Sequence, residues 1–240
     1  LSISTTYLGL QQVIADELGD RQDLLAPLSD SALTLSPIQN AIQTAIAKWE
    51  REPFYFNQAY TTSDVGPGTP FFTTVKGQEI YTATDGPLMA TAPETTLLHV
   101  LVGANRYPMT PRTWGYIDQI STNPAVTGQP IEWAYYAAQI RLYPIPDAAY
   151  PVTAVQTLRQ VALGADGDTN AWTTDAYDLI RSEAKLVLAR EVLFDDMLAA
   201  RMAVAIYGDP NNPRDRGYLY PLKAETTRRT GKSGIKPTYF

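Results

Sequence analysis

Residues 172–208 read WTTDAYDLIRSEAKLVLAREVLFDDMLAARMAVAIYG, and the way this stretch folds decides what the rest of the chain can pack against. Thr173 or Thr174 can accept from the free N–H groups that open a helix, and Asp175 favours the positive helix end. With Thr173 as the cap, Trp172 and Tyr177 form a hydrophobic staple. Tyr177, Ile180, Ala184, Leu188, Glu191 and Asp195 then share one face, while Val187, Phe194, Leu198 and Met202 lie near another. The spacing predicts one helix as far as Ile206, the longest in the chain, stopped by Gly208.

Two shorter helices are expected upstream. Tyr7, Leu10, Gln11, Ile14 and Leu18 fall at helical spacing between Leu1 and about Leu18, with Ser4 or Thr5 as cap. Ser36-Pro37-Ile38-Gln39 is a helix start with every part in place: a hydroxyl cap, proline in the first turn and glutamine to close a capping box. Ile38, Ala41, Ile42, Ala45, Ile46 and Trp49 form its apolar stripe, and Pro53 ends it. Helices this short are marginal alone, so both are expected to pack on the long one.

The chain changes character from Phe54 to about Leu163. Phe71–Val75, Gln78–Thr84, Thr95–Val102, Ile131–Ala138, Gln139–Tyr143 and Val152–Ala162 read as strands. A short helix carrying Trp114, Ile117 and Ile120 follows Thr110-Pro111. Ile140 and Leu142 alternate with Arg141 and Tyr143, the period of a half-exposed sheet. The expected fold class is therefore α+β. Residues 1–57 plus 164–207 form a helical bundle domain, 58–163 an inserted antiparallel β domain, and 208–240 an extended basic C-terminal arm.

Charge divides along the same lines. Residues 1–207 carry 12 Lys+Arg against 22 Asp+Glu, a formal −10, and residues 208–240 carry 7 against 3, a formal +4. An acidic body with a basic, tyrosine-bearing arm suits a protein that grips a partner at a distance. Lys223, Arg228, Arg229, Lys232 and Lys236, with Tyr239 and Phe240, are the candidate docking residues of that arm. On the body, Asp178, Glu191 and Asp195 make an acidic helix face. Such a face would let DNA slide past with few phosphate contacts to break.

Enzymatic signatures are weak. There is no cysteine and a single histidine, His99, inside the apolar run Leu97–Leu101, so neither a zinc site nor a thiol nucleophile is expected. Asp166-Gly167-Asp168-Thr169-Asn170 starts like a calcium loop but has Tyr177 where the twelfth-position glutamate belongs, and reads as a turn before a helix. Glu79, Asp85, Glu132 and Asp147 are read as exposed strand and turn carboxylates, and no phosphate-binding glycine loop is present. No cofactor, metal or enzymatic activity is expected. No window approaches about 18 consecutive apolar residues, so no membrane partner is expected either.

Several blocks resemble the head-to-tail adaptor proteins (connectors, or head-completion proteins) of tailed bacteriophages. They are Gly77-Gln78-Glu79-Ile80-Tyr81, Gly128-Gln129-Pro130, the run Ile140-Arg141-Leu142-Tyr143-Pro144-Ile145-Pro146-Asp147 with Tyr150, and the helix 173–207. The resemblance covers most of residues 35–207. It implies a ring, typically of twelve copies, in the virion neck, made in the host cytoplasm. One face would dock on the portal protein through the C-terminal arm and the other would receive a tail tube or nozzle protein. DNA would pass through without sequence-specific binding. The alternative reading is a carbohydrate-binding or cell-wall-cleaving virion module, in which Trp114, Trp133 and the tyrosines of the β region stack on sugar.

Overall fold

The computed structural model describes residues 6–27, 35–60, 71–86, 94–102, 105–121, 126–157, 159–212 and 214–230. In chain order, α1 (Tyr7–Glu17) and α2 (Pro37–Trp49) are followed by β1 (Gln58–Tyr60), β2 (Phe72–Thr73) and β3 (Ile80–Tyr81). Next come β4 (Glu94–Val102), β5 (Asn105–Pro111), α3 (Trp114–Ile120), β6 (Thr127–Gly128), β7 (Glu132–Tyr136), β8 (Gln139–Tyr143), β9 (Ile145–Pro146) and β10 (Pro151–Thr157). The last elements are α4 (Ala171–Thr174), α5 (Tyr177–Leu188), α6 (Asp196–Tyr207) and α7 (Leu219–Thr230). The fold is α+β, and the chain divides into two compact units, Leu1–Asn57 with Gln160–Phe240, and Gln58–Arg159.

In the first unit α2 forms as its sequence dictates. Ser36 Oγ accepts from Gln39 N–H at 3.2 Å, and Gln39 Oε1 accepts from Ser36 N–H at 3.0 Å, so the capping box is closed. Ile38, Ala41, Ile42, Ala45 and Trp49 are buried against Ile180, Ala184 and Leu188 of α5 and Leu10 and Ile14 of α1. Burying each isoleucine contributes about 1.5–3 kcal/mol. Helix α1 is capped by Thr6, and its first two N–H groups are met from far along the chain. Tyr7 N–H donates to Asp168 O at 2.9 Å and Leu8 N–H to Asp166 O at 3.0 Å. The loop read as a plain turn is therefore a backbone cap for α1. It is stiffened by Asp168 Oδ2, which accepts from Gly164 and Ala165 N–H at 2.8 and 2.7 Å.

The long helix expected over 173–206 is three segments. Asn170, not Thr173, is the first cap, and Thr173 Oγ1 reciprocates from inside the turn. After α5 the chain loosens into a π turn at Ala189–Leu193, and Phe194 takes the left-handed conformation (φ 51°, ψ 40°). Asp195 then caps α6, accepting from Leu198 N–H at 2.9 Å. A left-handed residue costs roughly 1–2 kcal/mol when it is not glycine, so the break is held in place by its surroundings. Here Phe194 N–H and Asp195 N–H both donate to Ala189 O.

The arm expected to be extended from Gly208 contains a 12-residue helix, α7. Pro221 sits in its first turn, where a missing N–H costs nothing, and Glu225 is spaced to pair with Arg228 and Arg229.

In the second unit the sheet order is β1-β10-β4-β5-β7-β8-β3, with β2 also on β10. Two corrections follow. Strand β5 runs where no strand was expected, because Pro108 and Pro111 argue against one, yet residues 105–109 pair with β4. The sheet is mixed rather than antiparallel, because β5 runs parallel to β7, and β6 and β9 form a separate two-stranded parallel sheet. Parallel neighbours need a crossover, and α3 lies within the one that joins β5 to β7.

Phe71, Phe72, Tyr81, Leu98, Val100, Met109, Trp133, Ile140, Leu142 and Val152 fill the core of this unit. Tyr81 stacks on Phe72 at 4.6 Å between ring centres. Its hydroxyl accepts from Val75 N–H and donates to Gln78 O, closing the Lys76-Gly77 turn. Arg141, read as half-exposed, is 8 % exposed. Glu79 at 2.6 Å and Asp118 at 2.8 Å neutralise it, so β8 is buried on both faces. Ala137 and Ala138 (φ 50° and 60°) make the two-residue β7–β8 hairpin, whose primed turn needs positive φ at both positions.

Candidate functional site

The C-terminal helix α7 and the surface it rests on are built from residues that the sequence scatters widely. The link from α6 to α7 begins and ends on glycine. A Cβ on Gly208 would run into the backbone of Asp215 and Arg216, and one on Gly217 into the backbone of Gly208 and Ile206. Both have positive φ, so only glycine serves there. Tyr218 N–H donates to Ala205 O at 2.9 Å and fixes the direction in which α7 leaves. Leu219 and Leu222 then pack on the first unit's core.

Polar contacts complete the seat. Tyr55 N–H donates to Thr226 Oγ1 at 3.0 Å, and the Thr226 hydroxyl donates to Leu222 O at 2.7 Å. Lys223 pairs with Glu52 at 3.2 Å. The Arg229 guanidinium lies 4.0 Å from the centre of the Tyr55 ring. Tyr55 OH donates to Asp175 at 2.7 Å, and burial together with that carboxylate pushes its pKa up to about 12. Arg228 and Arg229 both clasp Glu225, which they hold down to about 2.

The candidate arm residues divide accordingly. Lys223, Arg228 and Arg229 each have an acidic partner within the chain, whereas Lys232, Lys236, Tyr239 and Phe240 lie outside the described residues. Of the candidate acidic residues, Asp178 pairs with Arg181 at 2.8 Å, and Arg181 reaches on to Glu17 of α1. Asp195 is the α6 cap. Glu191 is exposed on the π turn, has no ion-pair partner among the described residues, and borders a cavity of about 350 Å³ beside the start of α2.

By sequence Glu183 is one more acid of the helix that carries Asp178 and Glu191. It is buried between α2 and α5, and accepts from Lys48 Nζ at 2.6 Å and Trp49 Nε1 at 3.2 Å. Lys48 also donates to Tyr207 OH at 3.1 Å and so joins α2, α5 and α6. The available signal was a glutamate one position from Ala184 on an otherwise apolar face, with a Lys-Trp pair ending the neighbouring helix.

Five carboxylates of the second unit are engaged. Glu79 and Asp118 hold Arg141, Glu132 holds Arg112 at 2.8 Å, Asp85 accepts from Thr82 N–H, and Asp147 accepts from Tyr150 OH. Trp133 is a core residue, while Trp114 packs against Tyr136 at 5.8 Å. His99 is half-buried in β4, and burial, then the charge of Arg106, lower its pKa. Among the described residues no group of three or more His, Asp or Glu converges as metal ligands, and no helix is long and apolar enough to cross a membrane.

A family model described as SU10 adaptor protein matches residues 5–221, a span that takes in both units and the start of α7. The chain belongs to the SU10 adaptor protein family. Membership carries a structural adaptor role in a phage particle, with phage structural components such as portal and tail as the class of partner. No curated protein matches the chain.

Proposed function

We propose that this adaptor forms a ring in the phage neck, docks on the portal protein and joins the DNA-filled head to the tail. In this reading a helical base carries the β unit as an insertion, and the C-terminal arm is the portal-gripping element. The observation that carries the reading is the family match over residues 5–221, taken with a basic C-terminal segment whose seat on its own chain is mainly polar. Such clasps are exchangeable, because a portal surface offering carboxylates and backbone acceptors can replace Glu225 and Glu52 one for one. Exposed Asp178 is assigned to the DNA-facing wall, where negative charge keeps phosphates moving. The role is structural rather than enzymatic, and the tail tube or nozzle is the partner on the opposite face.

The carbohydrate alternative is the less favoured reading, because Trp133 fills the core and Glu79 and Glu132 are paired with Arg141 and Arg112.

Electron microscopy of the full chain with its portal tests the proposal. A ring with a central hole wide enough for duplex DNA is the expected image. A chain ending at Leu222 that binds the portal as well as the full chain at moderate salt removes the arm from the reading. Full-length chain that leaves the portal bare overturns the reading as a whole.

A further inference from the structure

The break between α5 and α6 sets a large aromatic side chain out into solvent. Phe194 is 81 % exposed and Met197, three residues on, is 68 % exposed. Two N–H groups on Ala189 O and the Asp195 cap hold this geometry, so the exposure is built in rather than left over. π turns and left-handed non-glycine residues concentrate where a chain must present something. The end of α5, facing α2, offers the converse feature. The cavity of about 350 Å³ is floored by Leu24, Ala41, Val187 and Leu188 and rimmed by Asn40 and Glu191. Phe194 of the same chain does not fill it. Arg190 and Arg201 flank the apolar pair and have no ion-pair partner among the described residues, as Glu191 on the cavity rim has none. Arg21 and Asp23, also on the rim, neutralise one another at 2.8 Å.

We infer that Phe194 is the knob of a contact between copies of this chain, seated in the cavity beside α2 of a second copy, with Arg201 or Arg190 meeting the second copy's Glu191. A protruding aromatic flanked by arginine is the composition of an interface centre. A knob and hole carried by every copy give a contact that repeats from one copy to the next and closes into a ring where the rotation allows. The inference rests on the ring reading above and names the contact within it.

The chain contains no cysteine, so engineered cysteines report cleanly. Full-length Phe194→Cys and Asn40→Cys are mixed on the portal and mildly oxidised. Disulfide-linked pairs are expected from the mixture and from neither variant alone. Independently, Glu191→Arg and Arg201→Glu should each weaken copy-to-copy association by roughly tenfold, and their combination should restore it. Phe194→Cys linking to itself, or a complete ring with no 194–40 link, overturns this contact and leaves the ring reading standing. Copies that never associate on the portal overturn both.

Discussion

Glu183 and Lys48 form an ion pair of unequal exposure. The carboxylate is 4 % exposed and the ammonium 43 %, at 2.6 Å. Removing the two partners therefore has unequal consequences. Lys48→Met strands a buried charge with only Trp49 Nε1 for company and should cost about 3 kcal/mol. Glu183→Gln keeps an acceptor for Trp49 and leaves the lysine free to rehydrate, and should cost about 1 kcal/mol. Urea unfolding of the two variants checks the order. Equal costs would show that the pair is already solvated.

The glycine pair at the α6–α7 link gives a second expectation. Gly208→Ala and Gly217→Ala each force a Cβ into backbone at positive φ, so α7 should detach while α1 to α6 persist. Amide exchange at Tyr55, whose N–H is held by Thr226, should quicken in both variants. Unchanged protection of that amide would mean the clasp does not depend on the link.

Glu225 carries a pH dependence with a definite sign. Arg228 first and Arg229 second lower its pKa from 4.5 to about 2. A group whose folded value is depressed contributes fully above its unfolded value and loses that contribution as pH falls through the folded one. The pairing should thus be complete above 4.5 and fade towards about 2, a window absent in Glu225→Gln. Carboxyl chemical shifts followed through the acid range read it directly. A midpoint near the ordinary glutamate value contradicts the clasp.

The β7–β8 hairpin is improvable. Ala137 and Ala138 both occupy the left-handed region, where Asn-Gly is the natural fit. Replacing the pair with Asn-Gly should stabilise the second unit by about 1 kcal/mol, read as a raised melting temperature.

What the sequence disclosed follows from the range of the forces involved. The α2 capping box and its stripe are local and were legible residue by residue. The break at Phe194 was not, because VLFDDM contains neither glycine nor proline. Asp195, three residues before Leu198, was the one usable sign of a new cap. Strand β5 was hidden by its prolines, since pairing with β4 overrides what Pro108 disfavours. Arg141 misled because its alternation with Ile140 and Leu142 is real, while the acids that allow it inward sit 62 and 23 residues away. In the arm, punctuation by proline and glycine masked the i,i+3 and i,i+4 charge spacing of Glu225, Arg228 and Arg229 that marks a helix.

The backbone cap on α1 has a consequence for synthesis. Tyr7 and Leu8 find their acceptors only at Asp168 and Asp166, and the apolar faces of α1 and α2 are completed only by α5. While the chain emerges from a ribosome, the first two helices must wait, unassembled, for about 120 further residues. Residues 58–159 form a compact unit of their own and need no such delay. The order of completion thus departs from the order of translation: the middle of the chain settles before its beginning.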